Sequence, residues 1–202
     1  MTGARLNYPA AGATRHGPHE WPTGYRRLRV RTRLGHGRAD FDAAAEALAT
    51  WRLHREAGVR FGTEALRASP GVDVVVGLGV GALRLHAPCR VVWTVAEERS
   101  AGWAYGTLPG HPVRGEEAFV VSRDADGAVW LEVRAFSRPV SWFTVAAGPL
   151  LPLFQRWYAR RCGAVLRRLV ARAGDGGGRD GGRAGGAPVT ARRSRQDDRK
   201  QP

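Results

Sequence analysis

Two cysteines, Cys89 and Cys162, are the only thiols in 202 residues. They are too few for a disulfide framework or a zinc knuckle, so a reduced, intracellular setting is expected. Lysine is rarer still, because every basic residue except Lys200 is arginine. No stretch reaches the ~20 apolar residues of a membrane-spanning helix. The first twenty residues are interrupted by Pro9, Gly12, Gly17 and Pro18 and hold no continuous apolar core of the kind a secretory leader needs. These absences predict a soluble, cytoplasmic chain with no membrane span. No spacing matches a nucleophile elbow, a phosphate loop or a metal site, and no cofactor is expected.

What is abundant is arginine. The formal charge is +14, from 32 basic and 18 acidic residues. Alongside so much alanine and glycine, GC-rich codon usage explains the excess as well as a nucleic-acid partner does, so nucleic acid is kept as a subordinate alternative. At 43% hydrophobic, the chain can bury one sizeable core. Eight of the thirteen residues from Gly174 to Gly186 are glycine, and the remainder to Pro202 lacks apolar periodicity. The expected organisation is a single α+β domain over residues 1–173 and a disordered Gly/Arg-rich tail over residues 174–202. That tail carries seven basic and four acidic residues, so +11 of the +14 stays with the domain.

Tyr25 to Leu34 alternates Leu28, Val30, Thr32 and Leu34 with Arg27, Arg29, Arg31 and Arg33. That is the period of a strand with one core face and one basic row. From Arg38, Phe41, Ala44, Ala45, Leu48 and Trp51 recur at helical spacing, with acids early, bases late and Gly58 placed to cap the end. After Pro70 and Gly71 the pattern turns to strands near Val72–Leu78, Arg84–His86, Arg90–Ala96, Trp103–Thr107, Glu116–Ser122 and Val129–Phe136. Asp124 to Gly127 supplies a hairpin turn between the last two. Gly148 and Pro149 open a helix to about Arg172, with Leu150, Phe154, Tyr158, Cys162, Leu166 and Leu169 on one face. This predicts a curved antiparallel sheet covered by a long C-terminal helix. The element order resembles the helix-grip fold of START and Bet v 1-like proteins, which implies an apolar cavity between sheet and helix.

The phrases YGTLPGHPVRGEEAF (Tyr105–Phe119) and RAFSRP (Arg134–Pro139) resemble the uncharacterised protein family 0548. Tyr8, Gly12, Thr14, Arg15, Gly24, Tyr25, Phe41, Ala44, Trp51 and His54 support the match, which covers roughly Leu6 to Leu169. The resemblance brings no established activity and no catalytic residues.

Within these phrases His111 lies between Gly110 and Pro112, either as a general acid or base or as a loop-ordering hydrogen-bond partner. Glu116 and Glu117 are adjacent, so on a strand they point to opposite faces and cannot form a catalytic pair. Glu117 shares a face with Phe119 and Val121, and is read as the pocket carboxylate with Arg134 or Arg138 as its partner. Arg138 precedes Pro139 and is therefore extended; with Arg134 it forms a candidate grip for a ligand anion. Tyr105 and Thr107 supply hydroxyl handles on a wall shared with Trp103. Ser137 has no spacing that supports a nucleophile. Gly77, Gly79 and Gly81 lie among strands, which argues against a dinucleotide loop. Trp93, Trp130, Cys89 and Cys162 read as core.

Three functions follow. The leading one is binding of a small hydrophobic or amphipathic molecule by Tyr105, Thr107, Glu117, Arg134 and Arg138. An enzyme using His111 or Glu117 in the same cavity is the second. A basic module built on the arginine row is the third. Whether Tyr8 to Arg15 covers the pocket is open.

Overall fold

The computed structural model describes residues 5–58, 60–78, 85–140, 148 and 150–177. Seven strands form one antiparallel sheet: β1 (Arg26–His36), β2 (Arg60–Gly62), β3 (Asp73–Leu78), β4 (Leu85–Ala96), β5 (Ser100–Thr107), β6 (Val113–Arg123) and β7 (Ala128–Pro139), in the order β1-β7-β6-β5-β4-β3-β2. Helices α1 (Gly37–Ala49), α2 (Arg52–Glu56) and α3 (Leu150–Gly177) pack on its concave side. Consecutive hairpins order β3 to β7, and β1 returns to close the β7 edge. The sheet curls around α3.

The alternation in β1 produces the expected division. Leu28 and Leu34 are buried with the helices, while Arg27, Arg29, Arg31 and Arg33 face outward. Gly163 of α3 is needed where helix and strand meet, since a Cβ there would collide with the Thr32 side chain. The core between sheet and helices gathers Phe41, Leu48, Trp51, Trp103, Phe119, Leu131, Leu166 and Leu169. The hairpin at Asp124–Gly127 closes as its residues require, with Gly127 at φ 88° and its N–H donating to Asp124 O at 3.0 Å.

Several expectations change. The helix expected to run unbroken from Arg38 to Gly58 is broken at Trp51, which adopts φ 65°. A bulky residue in that conformation is strained unless its surroundings hold it. Here the indole N–H donates to Ala65 O at 2.9 Å and the ring packs against Phe61 and Trp103, at centroid separations of 5.0 and 4.9 Å. The two strands expected at Arg84–His86 and Arg90–Ala96 are one strand, β4, and β2 is additional. Helix α3 continues to Gly177, past the expected start of the tail. Gly79 and Gly81, Pro149 and most of the tail lie outside the described residues.

Candidate functional site

Adjacent residues of β6 build two different environments. Glu116 points to the convex outer face, where residues 7–16 fold across the sheet. Its Oε2 accepts from Tyr8 Oη at 2.7 Å and from the Gly12 N–H at 2.6 Å. Its Oε1 accepts from the Thr14 N–H at 2.9 Å, from the Thr14 hydroxyl and from Trp93 Nε1 at 3.3 Å. Trp93 reaches this face because β4 carries a register shift between Val91 and Trp93. One extra residue there reverses the facing, so Val91 enters the main core while Trp93 joins Ala104, Ala118 and Val120 outside. Gly106 is required here too, since a Cβ would collide with the Tyr8 phenol. The segment from Tyr8 to Arg15 therefore lies on the opposite side of the sheet from the helices and does not cover the cavity.

Glu117 points inward, into a cavity of about 240 Å³ between the sheet and the first turns of α3. Strands β3 to β7 contribute Val76, Ala87, Tyr105, Thr107, Val113, Glu117, Ala135 and Ser137, and α3 contributes Leu151, Phe154, Gln155 and Tyr158. Tyr105 Oη donates to Glu117 Oε2 at 2.6 Å. What surface Glu117 keeps opens onto this enclosed space, so burial pushes its carboxyl above the usual carboxylate range while the Tyr105 bond pulls the other way. The Tyr105 phenol is pushed up by burial and by Glu117. Gln155 Nε2 donates to Ser137 Oγ at 3.1 Å. Among the described residues the hydroxyl of Tyr158, a residue 7% exposed, meets no partner better than the nearby Cys162 thiol, at best a weak one. Burial raises that phenol as well, and pushes the Cys162 thiol up to about 12.

His111 also lines the cavity. Its Nδ1 is 2.9 Å from Val113 O and 3.1 Å from Val113 N, so one ring nitrogen is committed to ordering the loop in either tautomer. Burial lowers its pKa to about 4 and keeps the ring neutral near pH 7. Thr107 lines the wall, but its hydroxyl donates to Asn7 Oδ1 and accepts from the Gly115 N–H at 3.0 Å, leaving it little capacity for a ligand.

Arg134 and Arg138 do not reach this cavity, which corrects the expectation that one of them partners Glu117. Along β7, Leu131, Val133, Ala135 and Ser137 face inward, so Arg134, Phe136 and Arg138 face outward. Phe136 shows the outer side directly, packing on Tyr8, Trp21 and Tyr25. Arg134 lies 3.8 Å from Glu132 with its pKa lowered by burial, and Arg138 is exposed. Gln155 and Tyr158 are cavity polar groups that the sequence pattern did not single out, and Ser137, weighed there only as a nucleophile, is a cavity hydroxyl. The parity of β7 was a usable signal for Ser137, and the α3 pair carried none beyond helical spacing.

The arginine row of β1 is partly neutralised. Arg29 pairs with Glu132 at 2.8 Å, while Arg31 pairs with Asp124 at 2.9 Å and stacks over Trp130 at 4.1 Å. A further polar group is enclosed away from the cavity. His54 is fully buried among Phe61, Trp103 and Phe119, neither ring nitrogen has a partner among the described residues, and burial lowers its pKa to about 3.

A curled antiparallel sheet gripping one long C-terminal helix, with a cavity between them, is the helix-grip arrangement. Within that class, the chain belongs to the family described as a domain of unknown function (DUF1990), whose profile matches residues 7–165. A UPF0548 protein of Deinococcus radiodurans is 36% identical over 152 residues, covering 70% of this chain and 77% of that one. A UPF0548 protein of Arabidopsis thaliana is 28% identical over 155 residues, covering 70% and 72%. Among solved structures, a hypothetical protein from Helicobacter pylori superposes with a TM-score of 0.54 at 12% identity, over 84% of this chain and 99% of that one. A protein from Thermus thermophilus gives 0.54 at 12% identity, over 73% and 99%. At such identities these two speak to fold alone.

Proposed function

We propose that the chain binds a small, largely apolar molecule carrying a hydroxyl or similar neutral polar group, held between the sheet and α3. The observation that carries this reading is Tyr158, whose side chain lines the cavity and whose buried hydroxyl has no hydrogen-bond partner among the described residues. Burying an unsatisfied hydroxyl costs stability, and a ligand that accepts from it recovers that cost. Ser137 Oγ accepts from Gln155 and keeps its own proton to donate, while Glu117 has an oxygen left to accept. Among the described residues no arginine or lysine lines the cavity, so an anionic ligand has no counter-charge there. Tyr105, Ser137, Glu117 and Tyr158 are the proposed handles. The buried, unpaired Cys89 and Cys162 support an intracellular, reducing location.

The test is native mass spectrometry of the purified chain, followed by denaturing extraction. The reading expects a discrete neutral adduct whose retention falls about tenfold in Tyr158→Phe. A protein that stays empty, or that carries only nucleic acid removed by salt, contradicts it. A second reading, proton transfer to a bound substrate, draws on Glu117, a cavity carboxyl with a raised pKa. His111→Gln and Glu117→Gln separate the two readings. A catalyst loses turnover in either variant, whereas a carrier keeps binding in His111→Gln.

A further inference from the structure

Four large apolar side chains stand in water on the first two turns of α3. Leu150 is 66% exposed, Leu153 62%, Trp157 54% and Phe154 41%. Phe154 also lines the cavity, so this patch forms the outer rim of the cavity mouth. Next to it Arg26 and Arg156 border a shallow hollow floored by Gly148, Pro152 and Leu153, and Arg26 donates to Gly148 O at 3.1 Å. The exposed side of the helix continues through Arg160, Arg167 and Arg168. Arg26, Arg156 and Arg160 form no ion pair among the described residues.

We propose that this end of the molecule docks the cavity mouth onto the surface of a bilayer rich in anionic lipid. Trp157 and the leucines would enter the interfacial layer, where an indole is favoured, and the flanking guanidiniums would meet phosphate groups. Other occupants fit less well. A symmetric contact between two copies brings the unpaired arginines of both toward one another. A nucleic acid offers phosphates to the arginines but gives four apolar side chains no place to be buried. The helix lies on the surface and does not cross, since no helix among the described residues is long and apolar enough to span a membrane. The inference does not rest on what the cavity holds.

The experiment is co-sedimentation of the full chain with vesicles of equal parts phosphatidylcholine and phosphatidylglycerol, and with phosphatidylcholine alone. Binding to the mixed vesicles is expected, with little to the neutral ones. The double variant Leu153→Ser/Trp157→Ser should weaken it about tenfold. Arg26→Gln and Arg156→Gln should each weaken it about fivefold. These positions are exposed at the surface, so melting temperatures should hold and loss of binding is not loss of fold. Arg27→Gln/Arg33→Gln, on the outer face, is the control and should leave binding within about twofold. No binding to the mixed vesicles overturns the proposal. An equal loss in the control pair also overturns it, because the attraction is then non-specific. So does a dimer that Leu153→Ser/Trp157→Ser splits while vesicle binding is unchanged, because the face then joins two copies.

Discussion

Glu116 and Glu117 are neighbours in sequence, yet they meet opposite treatment on the two faces of one strand. The outer carboxylate is surrounded by five donors from residues 8–14 and Trp93, which replace the water it gives up. Among the described residues the inner one has a single donor, Tyr105, and burial disfavours its charge. A carboxylate with its hydrogen bonds satisfied by its own chain holds a structure together, while one left under-satisfied beside a cavity is available to something else. The outer face is thus a clasp for the N-terminal segment, and the inner face retains unused bonding capacity.

The largest effect should come from breaking the clasp. Glu116→Ala leaves the Tyr8 hydroxyl, the Gly12 N–H and the Thr14 N–H and hydroxyl without their acceptor, while Trp93 Nε1 keeps Thr14 Oγ at 3.1 Å, and chemical denaturation should show a loss of about 4 kcal/mol. Gly106→Ala attacks the same clasp by crowding Tyr8 and should cost about 2–3 kcal/mol. If either variant melts like the wild type, the segment is not held by these contacts.

On the inner side, His54 is neutral when folded, with its pKa lowered to about 3 from 6.5. As pH falls below 6.5 the unfolded chain takes up the proton first, so stability drains away until about pH 3. The slope approaches 1.4 kcal/mol per pH unit, or about 2 kcal/mol by pH ~5. Relative to His54→Leu, the wild type should lose that much more between those pH values in paired urea titrations. Equal slopes would show that the ring carries no such penalty.

The smallest effect has the opposite sign. Because the folded Glu117 carboxyl titrates above its unfolded value, its contribution is favourable at low pH and is lost as pH rises through the raised pKa. Glu117→Gln should therefore melt higher at neutral pH, by about 1 kcal/mol of stability, and converge with the wild type in acid.

Much of this was legible from local pattern. The period of two in β1 placed its arginines outside, the Asp124–Gly127 turn fixed the last hairpin, and adjacency alone sent the two glutamates to opposite faces. The same parity, carried along β7 from Leu131 and Val133, also put Arg134 and Arg138 outside. Their position in the strand, and not their charge, decides the face they take. Other features were illegible for a physical reason. The donors of Glu116 from residues 8–14 lie about a hundred residues away in sequence, the β4 bulge that turns Trp93 outward has no local marker, and Trp51 breaks its helix for contacts with Phe61, Ala65 and Trp103.

The most direct test measures, on Glu116→Gln and Glu117→Gln side by side, both thermal stability and the amount of the proposed ligand carried per folded protein. The account predicts that Glu116→Gln lowers the melting temperature and leaves retention unchanged, while Glu117→Gln keeps or raises the melting temperature and loses the ligand. The reverse pattern, or a Glu117→Gln protein that retains its ligand in full, would contradict it.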